Sequence, residues 1–326
     1  ELFGYSFIES DLPLDGKYNG NMTITLKYQL HCDKTDLKKE IFEPLAVSEY
    51  INETVADYKL KCHVFSTIGS HGSLTVEQAL MNSCNPYMIH LALEMGNSRF
   101  AYYQSLFGFG KITGIDLPGE TTGIVYGDRM TTIDAACNSF GQTINVNMMQ
   151  MMAAYCSIIN GGMLYQPHIV KRIESANGEV VKEYKANLVR QTITASTSKL
   201  LRRYLKNTVE EGTAKKAGVT GYSVAGKTGT AQKGDRKDNK WIISFIGHAP
   251  AENPKFAIYV VIDEPYGTTG TSGSSADVLT LTHNILEKLL PYMNVYKDAS
   301  DEYEDTSSSP DELTVDGIPA GTASSN

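Results

Sequence analysis

The sequence predicts an α+β fold in which an antiparallel sheet is flanked by helices. Helical patterns cluster in the middle of the chain, whereas strand patterns concentrate towards its end. Three strand-like segments follow one another there with turns between them, and a segment that predicts a closing helix comes next. Helices and strands that are segregated along a chain in this way are typical of α+β domains. We therefore expect one antiparallel meander with helices packed on it.

The composition is that of a globular protein with an acidic end. Hydrophobic residues make up 41% of the 326 residues and charged residues 20%, which are ordinary values. No apolar run approaches the ~18 residues of a membrane span. The formal charge of −8 comes from residues 298–326, which carry eight acidic and no basic side chains and leave 29 acidic against 29 basic residues elsewhere. The chain therefore lacks the basic surface of a nucleic-acid-binding protein.

We divide the chain into three parts. Residues 1–60 are a poorly readable N-terminal remnant in which only residues 21–28 alternate like a strand, so we expect the N-terminal part of the fold to be incomplete. Residues 61–297 form the main domain, and residues 298–326 are expected to be an acidic, disordered tail. The sequence begins at Glu1 rather than Met, so we expect that an N-terminal anchor is not included in this chain.

The middle of the chain predicts two helices joined by a tight link. Thr75 and Gln78 form a capping-box pattern, which predicts a helix from Val76 to Asn82. Asn85 followed by Pro86 predicts a second helix with Asn85 as its N-cap, ending near Met95 before Gly96. Ser83 and Asn85 would then be presented together on the link. Further helices are predicted over 98–107, Thr132–Asn138, Val146–Ile159, Thr197–Glu211 and Ala276–Leu290.

Strand patterns occupy the second half of the chain. Segments 164–173 and 179–184 are joined through Asn177-Gly178, which is a strong hairpin signal. The predicted meander consists of 223–232, Trp241–Gly247 and Phe256–Asp263.

The segment Gly221–Gln232 holds the strongest functional signal. Lys227 and Thr228 are followed by Gly229 and Thr230 on a predicted edge strand, where small residues allow another backbone or a ligand to approach closely. A cation, two hydroxyls and free strand N–H groups together form a carboxylate-binding ledge. We add Gln232, at the end of this segment, to the predicted substrate-binding residues.

The same segment matches the phosphate-binding loop G-x-x-x-x-G-K-T over Gly221–Thr228. A phosphate-binding loop requires a buried apolar strand before it and a helix after it. Residues 214–220 are too polar for that strand, and residues 232–240 form a charged turn. A nucleotide-binding protein is therefore a distant alternative, and an ordinary surface hairpin is the plain structural alternative.

The sequence predicts no metal site and no cofactor. The five cysteines lack C-x-x-C spacing, and the seven histidines lack H-E-x-x-H. The four methionines of 148–152 are expected to fill the core rather than to bind a cofactor.

Ser83-x-Asn85 followed by Lys227-Thr228-Gly229 resembles the second and third motifs of the penicillin-recognising serine enzymes, whose first motif is S-x-x-K. The wider segments resemble the class B high-molecular-weight penicillin-binding proteins over roughly residues 60–295. The segments that carry this resemblance are His71-Gly72, 79–85, 113–120, 140–142, 160–162 and 212–214. The resemblance implies a β-lactamase/transpeptidase-like fold and a transpeptidase domain at 61–297.

The resemblance also implies a role for each matched residue. Lys227, Thr228 and Thr230 would hold the terminal carboxylate of a D-alanyl-D-alanine stem peptide, and the Thr230 N–H would donate to the oxyanion. Ser83 would relay protons, and Asn85 would hold the amide of the substrate. Gly229 would keep the strand surface low enough for an acyl chain to lie along it. The implied activity is cross-linking of peptidoglycan through a serine acyl-enzyme, with β-lactam antibiotics as inhibitors.

The nucleophile of the family is not identified in this sequence. No Ser in residues 1–82 has Lys three positions later, and Ser196-x-x-Lys199 falls after the second motif, where we interpret it as a chance match. Thr35-x-x-Lys38 has the threonine version of the motif, but the residues after it do not form the expected apolar helix. A lost or altered segment, a pseudoenzyme and an unrecognised nucleophile all remain open, and we favour the first.

The alternative function is therefore that of a non-catalytic, peptide-binding or divisome scaffold domain. In either case the resemblance implies a location at the extracytoplasmic face of a bacterial membrane. The implied partners are stem peptides, β-lactams and cell-wall synthesis proteins of a membrane complex.

Overall fold

A computed structural model describes the protein over residues 71–234, 240–265 and 274–299, together with the shorter stretches 5–6, 29–30, 52–55, 58–62 and 64. Two short antiparallel pairs lie in the N-terminal part: β1 (Tyr5–Ser6) with β2 (Gln29–Leu30), and β3 (Asn52–Val55) with β4 (Tyr58–Lys61). The predicted strand at 21–28 and the candidate nucleophile Thr35 lie outside the described residues.

The helices confirm most of the elements that the sequence predicts. They are α1 (Val76–Met81), α2 (Asn85–Met95), α3 (Asn97–Leu106), α4 (Thr132–Ser139), α5 (Met148–Ile159), α6 (Ala195–Glu210) and α7 (Ala276–Tyr292). The capping box of Thr75 and Gln78 is present at the start of α1. Gly96 ends α2 with a φ of 76°, a value that favours glycine. None of the helices in the described ranges combines the length and the apolar character needed to cross a bilayer.

The predicted meander is an antiparallel sheet of three strands. It consists of β9 (Ala225–Lys233), β10 (Lys240–Ala249) and β11 (Phe256–Asp263), in the order β11-β10-β9. Within the described part of the chain β9 is therefore an edge strand, as the sequence predicts.

Helices cover both faces of this sheet, because consecutive residues of its strands are apolar and their side chains point to opposite faces. On one face Phe245 and Ile258 pack against Leu286 of α7. On the other face the neighbouring residues Ile246 and Ala257 join a second cluster, which includes Met152, Tyr155, Ile159 and Leu205 of α5 and α6. The result is a helix–sheet–helix arrangement, which confirms the predicted α+β fold.

The strands before α6 differ from the prediction. The predicted strand 164–173 is divided into β5 (Met163–Gln166) and β6 (Arg172–Glu174), since Pro167 cannot donate to a strand ladder. The hairpin at Asn177-Gly178 is present, and it joins β6 to β7 (Val180–Glu183). A further strand, β8 (Asn187–Gln191), pairs with β5. Its residues are almost all exposed, so it lacks the apolar alternation by which a strand is predicted.

Candidate active site

The link between α1 and α2 presents Ser83 in a special backbone conformation. Ser83 has a φ of 50°, in the left-handed region that non-glycine residues seldom adopt. Cys84 rather than Asn85 is the N-cap of α2, and it makes no side-chain capping bond. Asn85 is instead the first residue of the helix, followed by Pro86, so its predicted capping role is wrong. Its amide is thereby left to a role other than capping the helix.

The turn after α6 brings a further hydroxyl to this link. Asn207 on α6 donates a hydrogen bond to Glu77 on α1, and the Thr213 N–H donates to the Met81 carbonyl at 3.1 Å. The backbones approach so closely that a Cβ at Gly212 would lie 2.8 Å from the Met81 oxygen. The glycine is required there, and it places Thr213 against Ser83, with 3.3 Å between the two hydroxyl oxygens.

Lys227 of β9 completes a continuous polar network across the cleft. Its ammonium donates to the Ser83 hydroxyl and to the Thr228 carbonyl at 3.1 Å. The Thr228 hydroxyl lies 3.4 Å from the Lys227 nitrogen and 3.4 Å from the Thr213 hydroxyl. One ammonium and three hydroxyls from three distant segments therefore contact one another.

Burial sets the electrostatics of the network. It lowers the pKa of Lys227 from 10.5 to about 8, because the ammonium loses hydration that its neutral partners replace only in part. Near neutral pH the side chain therefore exchanges a proton more readily than an ordinary lysine. A carboxylate ligand entering the cleft would favour the charged form and raise the pKa of Lys227 again.

The rest of the predicted ledge extends along β9. Gly229 lies opposite Ser244, and a Cβ at this position would lie 2.6 Å from the Ser244 hydroxyl oxygen. Thr230 is exposed, and Gln232 is partly buried opposite Trp241. The close approach at Gly229 keeps this part of the strand free of side-chain bulk.

The structure thus joins Ser83, Lys227 and Thr228 directly. It places Gly229, Thr230 and Gln232 further along the same strand and Asn85 at the start of α2, without a side-chain contact to Lys227. Thr213 joins the network, although no sequence motif assigns it a role. Its segment contributes only to the family resemblance, and no local pattern indicates that it meets Ser83.

The structure also decides the phosphate-loop alternative. Lys227 and Thr228 lie within β9 itself rather than in a turn that opens a helix, which is what a phosphate-binding loop requires. Ser196 is 2.9 Å from the Thr194 hydroxyl at the start of α6 and does not belong to the Ser83–Lys227 network.

Comparisons with known proteins identify the family of the domain. A family model described as the penicillin-binding protein transpeptidase domain matches residues 51–287. Stage V sporulation protein D of Bacillus subtilis is 37% identical over 298 residues, which cover 89% of this chain and 45% of the relative. Peptidoglycan D,D-transpeptidase FtsI of Escherichia coli is 32% identical over 248 residues, covering 74% of this chain and 40% of the relative. The chain spans less than half the length of these curated relatives.

Solved structures share the fold. Penicillin-binding protein 3 of Mycobacterium tuberculosis, complexed with aztreonam, superposes with a TM-score of 0.69 at 27% identity. The matched region covers 79% of this chain and 59% of the chain of that protein. The same protein complexed with ampicillin has a TM-score of 0.69 at 28% identity, covering 80% and 59%.

Proposed function

This chain belongs to the class B penicillin-binding protein transpeptidase family, and on that premise we propose that its cleft binds the carboxyl end of a peptidoglycan stem peptide for acyl transfer. Acyl transfer needs a positioned nucleophile, a proton relay and donors for the developing oxyanion. The described residues would supply the relay and the carboxylate clamp.

The observation that carries the proposal is the contact between the Lys227 ammonium and the Ser83 hydroxyl. An ammonium whose pKa is about 8 is poised to pass protons near neutral pH. Through Ser83 it would deliver a proton to the leaving amine. The hydroxyls of Thr228 and Thr230 would bind the substrate carboxylate together with Lys227. Thr230 and Gln232 extend the surface on which the peptide would lie, and Asn85 would hold its amide.

The nucleophile determines whether the domain turns over. The sequence offers no S-x-x-K before Ser83, and this absence favours a second candidate function, in which the cleft binds stem peptides or β-lactams without forming an acyl-enzyme. The intact second and third motifs favour the catalytic function, because a domain that has only a scaffolding role has no need for a buried ammonium in its cleft.

The test is intact-mass analysis of the chain after incubation with benzylpenicillin, followed by peptide mapping. We expect one covalent adduct per chain, and the mapped residue identifies the nucleophile. Lys227→Met should abolish the adduct while leaving the fold intact, whereas Lys233→Met, at the far end of the same strand, should leave it unchanged.

If a folded chain forms no adduct but still binds D-alanyl-D-alanine peptide in calorimetry, the binding function replaces the catalytic one. If it does neither, the proposal is refuted.

We further propose that the domain works at the extracytoplasmic face of a bacterial membrane, alongside cell-wall synthesis proteins. Support for this location comes from the curated relatives, which are named for sporulation and for peptidoglycan transpeptidation.

A further inference from the structure

Three metal-ligating side chains converge next to the link that carries Ser83 and Asn85. The thiols of Cys62 and Cys84 and a ring nitrogen of His71 all lie within 4.8 Å of one another, and the Cys62 sulfur is 3.5 Å from His71 Nδ1. Both cysteines are buried and neither is in a disulfide, and His71 is partly buried. The residues come from the end of β4, from the segment before α1 and from the α1–α2 link. Folding rather than sequence spacing therefore creates the cluster.

We propose that Cys62, His71 and Cys84 bind a zinc ion that fixes the link between α1 and α2. Two thiolates and one imidazole are a ligand set that zinc prefers. This site departs from the sequence-based expectation that the chain has no metal site. The inference does not depend on the proposed acyl transfer, since it concerns a separate set of side chains.

The distances fit tetrahedral coordination. With Zn–S of about 2.3 Å and Zn–N of about 2.0–2.1 Å, two ligands of one zinc ion in tetrahedral coordination lie about 3.5–3.8 Å apart. The 3.5 Å between Cys62 and His71 already has this length. The upper limit of 4.8 Å for the cluster is reduced to it by side-chain shifts of about 1 Å. A water or a fourth ligand would complete the coordination.

The surroundings of the two cysteines are apolar. The two cysteines share an apolar cluster with Ala79 and Tyr87, against which further apolar side chains pack: Val64, Leu74, Val76, Met88 and Leu91. A hydrogen bond with the Cys62 thiol, together with burial, raises the pKa of Cys84. Zinc would bind the two cysteines as thiolates and would displace their protons.

The position of Cys84 means that a bound zinc ion would affect the link that carries Ser83 and Asn85. Cys84 lies between Ser83, whose φ of 50° is costly for a residue with a side chain, and Asn85, the first residue of α2. Ligation of Cys84 would hold this backbone at the residue next to Ser83. The ion would also link residue 62 to residue 84, and closing such a loop stabilises the folded chain by restricting the unfolded one.

The test measures metal on the whole chain, produced with zinc in the medium and purified under a phosphine reductant. Mass spectrometry of the elements should find about one zinc per chain. Cys62→Ser, Cys84→Ser and His71→Ala should each lose nearly all of it. Cys137→Ser changes a free cysteine outside the cluster, and His168→Ala changes a histidine that stacks on Tyr184; both should retain the zinc.

A second measurement serves if a ligand variant fails to fold. Wild-type chain reconstituted with cobalt should show thiolate-to-metal charge transfer and the intense visible bands of tetrahedral coordination. A chelator should abolish these bands and lower the Tm.

Three results overturn the proposal: no zinc on the reduced, folded wild type and no cobalt bands, retention of zinc by the Cys62 and Cys84 variants, or a disulfide between these two cysteines in the reduced, zinc-supplied chain.

Discussion

Replacing Lys227 by methionine should stabilise the folded chain while it destroys the cleft. The ammonium is held where burial lowers its pKa from 10.5 to about 8. In that range the unfolded chain binds more protons than the folded chain, so stability increases as the pH rises from 8 towards 10.5. At pH 7 the full cost of about 3 kcal/mol is present.

Methionine has a similar length and carries no charge, so the variant avoids this cost. It also loses the hydrogen bonds that Lys227 donates to Ser83 and Thr228, each worth about 0.5–1.5 kcal/mol net. The net gain at pH 7 should therefore be at most about 2 kcal/mol, or up to roughly 4–8 °C in Tm for a domain of this size. By pH 9.5 the wild type has lost most of its proton from Lys227, and the advantage of the variant should shrink by about 2 kcal/mol.

The assay is urea denaturation of the wild type and of Lys227→Met at pH 7 and pH 9.5. The difference in unfolding free energy between the two proteins isolates the effect of Lys227 from that of the other titrating groups. Lys233→Met is the matched control on the same strand. Lys233 is bonded to Asp263 and Glu264, which raise its pKa, so its loss should not stabilise the chain and its effect should be the same at both pH values. The reasoning is refuted if Lys227→Met is less stable than the wild type at pH 7, or if their difference does not change with pH.

Three further perturbations test other parts of the fold. His248 is fully buried, and burial lowers its pKa from 6.5 to about 3. As the pH falls from 6.5 to 3, the free energy of unfolding of the wild type should decrease by up to about 5 kcal/mol relative to that of His248→Gln. Urea midpoints across that range measure this difference, and parallel curves for the two proteins would contradict it. Gly226→Ala would place a Cβ 2.6 Å from the Ile246 carbonyl oxygen, and the overpacking should cost about 1–3 kcal/mol or more; an unchanged urea midpoint would show that β9 can shift. The Asp298 carboxylate accepts hydrogen bonds from the Ser223 N–H and hydroxyl, so Asp298→Ala should cost about 1.5–3 kcal/mol, whereas Asp128→Ala, at an exposed site, should change the midpoint little.

Local sequence patterns predict helices and strands where a side chain interacts with its own neighbours in the sequence. Thr75 and Gln78 satisfy the first turn of α1 by themselves, and the apolar run in Phe256–Asp263 follows from burial on both faces of one strand. β8 had no such signal because its side chains are exposed. The contact of Thr213 with Ser83 had none either, because it depends on two backbones meeting across 130 positions at Gly212 and Met81.

The same distinction between local patterns and long-range contacts explains which residues of the candidate site could be predicted. Ser83 and Lys227 could be selected from the sequence because each belongs to a short motif, but the network also needs Thr213, which only the docking of α6 on α1 supplies. The cluster of Cys62, His71 and Cys84 likewise escapes prediction, because folding rather than sequence spacing brings the three residues together.

The two sets of contacts act on one short link. Ser83 contacts Thr213 and the ammonium of Lys227, whereas the next residue, Cys84, is buried beside Cys62. A residue held at a φ of 50° keeps that conformation only while its surroundings determine it. Loosening Cys84 should therefore disturb the Ser83–Lys227 contact without touching the cleft, and relaxation of that contact should lower the affinity for a carboxylate ligand more than it lowers the stability of the sheet.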